Sequence, residues 1–317
     1  PDLAATLRAN TDVLADHASD SLWDSAPHAV LDRAGESLSR SGLVAPAVAY
    51  WQRLAADCER RMGQEHLRTL TSRSALAGAY ADAWRLSEAI GLQERLLADC
   101  RRLLGDQHPL TLGVRNNLAI SYGKTGCTEE VVGLFERLVV DCERQFGVKH
   151  PHTLTARNNL AAAYREVGRV VWAVGLQKWV IADSERLLGA VHPDTLGARL
   201  NLVNCYWQAG LVEEAGGLLT ELIADCERVL GDAHPETLNV RGHLAYYYWR
   251  AGRVEEAVAR LEALVADRER LMDPDHPETL TGRGNLAVAH WEAGRREEGL
   301  RLLRRSVADL DRVLGSG

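Results

Sequence analysis

His108-Pro109-Leu110-Thr111-Leu112-Gly113-Val114-Arg115-Asn116-Asn117-Leu118-Ala119-Ile120-Ser121-Tyr122-Gly123-Lys124-Thr125-Gly126 is one copy of a motif that returns every 42 residues along a chain of 317. The histidine recurs as His66, His108, His150, His192, His234 and His276, with Pro behind the last five. The Thr-Leu pair recurs from Thr69-Leu70 to Thr279-Leu280. The closing glycine recurs as Gly126, Gly168, Gly210, Gly252 and Gly294, with Trp84 in its place in an earlier copy. A period between about 20 and 50 residues is the signature of stacked supersecondary units, each burying its apolar face against its neighbours alone.

Within the copy, Leu112, Arg115, Leu118, Ala119 and Tyr122 lie three or four residues apart, the spacing of one buried helix face. Pro109 suits a first helical turn, where its missing N–H is no loss, and Gly126 and Gly147 suit helix ends. A second, longer segment runs to an Asp-x-x-Arg signature, as at Asp99/Arg102 and Asp141/Arg144. Each repeat therefore reads as helix, short turn, longer helix. Nothing reads as a strand, and the expected fold is all-α. Six such repeats occupy residues 64–317, with Arg296, Arg301, Arg304 and Arg305 making the last helix a polar C-terminal cap. Residues 27–63 form a degenerate repeat around Gly42, Asp57 and Arg60, and residues 1–26 a capping helix and junction.

The run Leu118-Ala119-x-x-Tyr122-x-x-x-Gly126, with Glu213-Glu214-Ala215 and Glu255-Glu256-Ala257 in later copies, resembles the tetratricopeptide repeat. The long period, the His-Pro-x-Thr-Leu start and the Asn-Leu-Ala core resemble the variant seen in kinesin light chains. That variant also occurs in bacterial proteins downstream of NB-ARC or STAND-type signalling ATPase domains, and Trp23–Arg33 resembles the junction there. The resemblance covers about residues 27–315 and implies a right-handed α-solenoid of stacked helix pairs that works as a binding scaffold, here the sensor region of a signalling protein. Fold alone does not fix function. A first residue of Pro1 suits a piece of a longer protein. An ATPase segment would lie outside these residues, which hold no Gly-x-x-x-x-Gly-Lys-[Ser/Thr] loop.

A net charge of −7 leaves no basic footprint, so nucleic acid is not an expected partner. No apolar run reaches membrane-spanning length and no signal segment opens the chain, which points to the cytoplasm. Cys58, Cys100, Cys142 and Cys226 occupy one place in different repeats, too far apart to bridge, and Cys127 and Cys205 stand alone, so all six are expected as free thiols. The histidines form a ladder that does not converge, which reads as structural and not as metal-ligating. The arginine ladder from Arg73 through Arg115, Arg157, Arg199, Arg241 and Arg283 reads as a repeated ion pair with acidic residues of the longer helices.

Function is then sought where the copies differ. By the resemblance, the first helix of each pair lines a concave groove, at positions 13, 10, 9, 6, 3 and 2 residues before the turn glycine. Two series stand out there. Asn117, Asn159, Asn201 and Asn285 place an amide at regular intervals, suited either to an extended peptide backbone or to pairing with the next repeat. Trp207, Trp249 and Trp291, with Asn204, His243, Tyr246, Arg250 and Glu292, pave the C-terminal half with aromatic and polar surface, and Trp249 is its expected central anchor. Arg165 and Gln208 fall on the same positions, whereas Trp51, Trp172 and Trp179 lie on second helices and are expected to be packing residues. The expected partner is a protein or peptide. The alternative is a small-molecule receptor or an enzyme using the aromatic end. With no nucleophile–base pair or metal cluster in view, no catalytic residue, metal or cofactor is assigned.

Overall fold

The computed structural model describes residues 29–40, 42–126, 128–271 and 277–314. Fourteen α-helices and no strand occur among the described residues. The cap expected over residues 1–20, Cys127 and His276 fall outside them. The chain divides into two compact units, Pro1–Ala163 and Tyr164–Gly317.

The first unit runs α1 (Ala29–Arg40), α2 (Val44–Met62), α3 (Leu67–Asp82), α4 (Leu86–Leu104), α5 (Pro109–Lys124) and α6 (Thr128–Phe146), then into α7 (Pro151–Glu166), inside which the division falls. The second unit continues with α8 (Val170–Leu188), α9 (Pro193–Gln208), α10 (Val212–Leu230), α11 (Pro235–Arg250), α12 (Val254–Leu271), α13 (Pro277–Glu292) and α14 (Arg296–Leu314). In each unit, from α1 to α6 and from α8 to α14, every helix packs on the next in chain order, which is the all-α solenoid pattern. No helix among the described residues is long and apolar enough to cross a membrane.

The recurrent residues do local work. Each described ladder histidine is a helix N-cap: His108 Nδ1 accepts the Leu110 N–H at 3.1 Å, and His66, His150, His192 and His234 accept the N–H two residues on in the same way. At Thr69, Thr111, Thr153 and Thr237 the hydroxyl three residues after the histidine ties the cap to the preceding helix end, as in Thr111 Oγ1 to the Gly105 carbonyl at 2.8 Å. The turn after the first helix requires a left-handed residue, Gly210 at φ 74° for example, and Trp84 takes that conformation at φ 57° despite its Cβ.

The arginine ladder pairs as expected. Arg115 meets Asp141 at 2.8 Å, Arg157 meets Glu143 at 2.7 Å, Arg199 meets Asp225 at 2.8 Å, and the fully buried Arg283 meets both Glu269 and Asp309. Burial works against the charge on Asp141, but hydrogen bonds from Arg115 and Gln107 outweigh it and hold the carboxyl below its ordinary range. The five described cysteines are buried and free. Burial pushes the Cys100 and Cys142 thiols up to about 11.

Leu160, on α7, is 6% exposed. Leu160→Ala is expected to cost about 2–5 kcal/mol in urea unfolding, because a solenoid cannot collapse around a cavity without moving a whole repeat. A loss of a few tenths would mean that this face of α7 is not packed.

Trp51 is a core residue at 5% exposure, but Trp172 and Trp179 are not: each is 70% exposed on α8. The packing role expected for those two is overturned. On α8 it is Ala173, Gln177 and Val180, and not the two indoles, that are buried.

Candidate functional site

In the second unit the first helices carry the informative faces. On α9, Leu200, Val203, Asn204 and Trp207 follow one another at three- and four-residue steps and so share a face. On α11, His243, Tyr246, Tyr247 and Arg250 do the same. With Arg165 and Gln208 they line a cleft of about 530 Å³.

The floor of this cleft comes from a local exchange of volume. Tyr247 occupies a position that is Ala79, Ser121, Ala163, Cys205 and Ala289 in the other repeats. Gly216 occupies one that is Ile90, Val132, Val174, Val258 and Leu300. A Cβ on Gly216 would lie 2.7 Å from the Tyr247 hydroxyl oxygen, so the large ring on α11 is admitted only by the missing side chain on α10. The phenol then donates to the Val212 carbonyl at 2.8 Å, and its ring meets Trp207 edge-on at 5.6 Å. This holds Trp207, half-buried, as a wall of the cleft.

The rim is cationic. The Arg250 guanidinium sits 5.7 Å from the Trp207 ring centre and 5.8 Å from that of Tyr246, and it donates to the Tyr246 hydroxyl at 3.0 Å. The Gln208 amide donates to the Arg165 carbonyl at 3.0 Å, joining successive repeats at the opposite wall. His243 keeps an accessible edge yet lies deep among protein atoms. Burial first, and the positive Arg268 second, lower its pKa, so the ring is neutral at pH 7. Two permanent cations, Arg165 (also 3.8 Å from the Glu166 carboxylate) and Arg250, and one latent one, His243, thus line the cleft beside its aromatic rings, in a chain whose net charge is −7.

Of the residues expected from sequence, Asn204, Trp207, His243, Tyr246 and Arg250 meet in this cleft. Trp249 and Asn285 border an adjoining cleft of about 110 Å³ with Gly242, Tyr246, Leu261 and Val288. The Trp249 indole N–H is committed to the Glu292 carboxylate, which removes Trp249 from the centre of the larger cleft. Trp291 is exposed, with Arg296 5.4 Å from its ring centre, and lines neither cleft. Asn201 is half-buried and lines neither.

In the first unit Asn116 and Asn117 border a separate cleft of about 130 Å³. There the Asn159 amide donates to Asn116 Oδ1 at 2.8 Å, so at this point the asparagine ladder joins one repeat to the next. Tyr247 is the site residue that periodicity hides. Its signal was a ring where every other copy has a small residue.

These helix pairs, repeated in register with His caps, define an α-helical repeat protein. Tetratricopeptide repeat family models match residues 69–110, 153–194, 194–268 and 239–311, together more than half of the chain. The chain belongs to the tetratricopeptide repeat family. A PPR repeat model also matches residues 115–142.

Among solved structures, the nearly identical TPR-like repeats of a Podosopora anserina kinesin light chain are 31% identical. They cover 63% of this chain and 95% of that one, at a TM-score of 0.56. The apo form of the quorum sensor NprR from B. thuringiensis is 16% identical over 89% of this chain and 75% of its own, at a TM-score of 0.63. A Pyrococcus horikoshii STAND protein with a tetratricopeptide repeat sensor is 11% identical over 99% of this chain and 49% of its own, at a TM-score of 0.56. The latter two likenesses speak to the fold alone. No curated protein matches the chain.

Proposed function

We propose that this tetratricopeptide repeat scaffold captures an extended peptide segment at the cleft between α9 and α11, and that the bound segment carries an acidic residue next to an apolar or aromatic one. The convergence of Arg165, Arg250 and His243 over Trp207 and Tyr246 is the observation that carries this reading. The arginines meet a carboxylate, and the rings accept the neighbouring side chain. A binding role within a signalling protein of the bacterial cytoplasm fits the kinesin-light-chain-like repeats. It also fits two of the similar proteins, one a quorum sensor and the other a STAND protein with a tetratricopeptide repeat sensor.

A second reading rests on the cleft volume of about 530 Å³, within the range of pockets that enclose small molecules. In that reading the ligand is a small aromatic or aliphatic acid.

Selection from a random peptide display library separates the two. The proposed function predicts enrichment of acidic sequences with a flanking apolar or aromatic residue, and loss of that enrichment in the Arg165→Ala/Arg250→Ala variant. Recovery of no peptide, or of basic peptides, would count against it.

A further inference from the structure

The outer face of α8 differs from that of every other second helix. Where α4, α6, α10, α12 and α14 begin Ser87-Glu88, Glu129-Glu130, Glu213-Glu214, Glu255-Glu256 and Glu297-Glu298, and α2 has Ala45-Pro46, α8 has Val171-Trp172. Where they carry Arg95, Arg137, Glu221, Ala263 and Arg305, it has Trp179. Val171 is 85% exposed, and Trp172 and Trp179 are as open as noted above. Large apolar groups held this far into water, on one helix whose counterparts are mostly charged there, mark a contact surface.

The order of side chains along that face says what covers it. Trp172, Gly175, Trp179 and Ala182 succeed one another at steps of three and four residues, so large and small groups alternate down one exposed stripe. Nothing lies within 4 Å of a Cβ built on Gly175, which leaves a shallow notch between the two indoles. Reversed, the series reads small, large, small, large. An antiparallel copy of α8 crossing at the level of residues 180–181 sets Trp179 of each chain against Ala182 of the other, with Gly175 and Trp172 level with Arg186 and Gly189 at the margin. The exposed flank carries Lys178, whose ammonium lies 5.6 Å from the Tyr206 ring centre, and Glu185, seven residues on and opposite in sign. The same reversal brings Lys178 of one chain within reach of Glu185 of the other, twice by symmetry. A surface complementary to itself in both shape and charge is the requirement of a two-fold interface.

We propose that α8 is a self-association surface on which a second copy of this chain docks antiparallel, helix against helix. The two Trp179 rings, with Trp172 at the margin of the contact, offer on the order of 200 Å² each, so the helix contact falls among small, transient interfaces and gives a weak, reversible dimer.

Sedimentation velocity on the full chain between about 1 and 100 µM tests this. The unaltered chain should pass from monomer to dimer over that range. Trp179→Arg, which copies Arg95, Arg137 and Arg305 at the equivalent place in other repeats, should remain monomeric with unchanged helical content. Lys178→Glu should weaken the dimer at least several-fold, and Lys178→Glu/Glu185→Lys should restore it. A chain that stays monomeric throughout overturns the proposal and leaves the face to a different partner. So does a dimer that Trp179→Arg does not weaken. Failure of the charge exchange to restore association overturns the antiparallel arrangement. None of these variants touches the α9–α11 cleft, so peptide binding stands or falls separately.

Discussion

Gly216→Val should destabilise the second unit by about 1–3 kcal/mol, the usual cost of overpacking a closed core. Tyr247→Ala alone should cost about 3–5 kcal/mol, since it empties a ring-sized space and leaves the Val212 carbonyl without its donor. Made together, the two changes should cost at least 1 kcal/mol less than the sum of the single effects. The physical reason is the contact that a Cβ on Gly216 would make with the phenol, 2.7 Å from its oxygen and 2.9 Å from its ring carbon. Valine at 216 with alanine at 247 recreates the pairing of Val258 with Ala289 one repeat later, a combination the fold already accommodates. A double-variant cycle in urea measures the coupling directly. Additive effects would mean that the Tyr247 ring does not depend on the gap at Gly216, and the account of how the cleft acquires its floor would be wrong.

Trp207→Ala should weaken binding of an acidic peptide by more than tenfold, and Arg250→Ala by a comparable factor, with helical content unchanged. Trp207 forms a wall of the larger cleft and carries Arg250 against its ring, so its loss removes apolar contact and frees the guanidinium at once. Trp249→Ala should cost less, because its indole already serves Glu292 and borders the smaller cleft. This reverses the order expected from sequence, where the central place of Trp249 in the series made it the anchor.

The same binding should tighten as pH falls from 7 toward 5. His243 is neutral at pH 7 because its pKa is lowered, so it becomes a third cation only below its ordinary value of about 6.5. A peptide carboxylate remains ionised until about pH 4. Isothermal titration at three pH values reads this effect, and His243→Ala should abolish the pH dependence while leaving the binding at pH 7 largely intact.

The repeat was legible because its physics is local. A capping histidine, a threonine reaching back six residues and a left-handed turn glycine each act within one repeat, so their spacing alone announces the helix pair. Asn204, Trp207, His243, Tyr246 and Arg250 could be found by asking where copies diverge on one helix face. What spacing could not supply was the third dimension. Trp172 and Trp179 share their helix with buried positions, and only the packing of α8 decides which side of it meets water. The asparagine series carried two readings of equal chemical merit, and the separation of Asn159 from Asn116 decides for repeat-to-repeat pairing at that point. Tyr247 stayed hidden because its room is made by Gly216, on a different helix.

The indole N–H resonances of the eight tryptophans give the most direct test of peptide capture at this cleft. Recorded while an acidic, aromatic-flanked peptide is added, they should show Trp207 shifting most, Trp249 shifting less, and the buried Trp51 not at all. Shifts confined to Trp172 and Trp179, with Trp207 unmoved at saturating peptide, would place binding on the outer face of α8 and contradict the account.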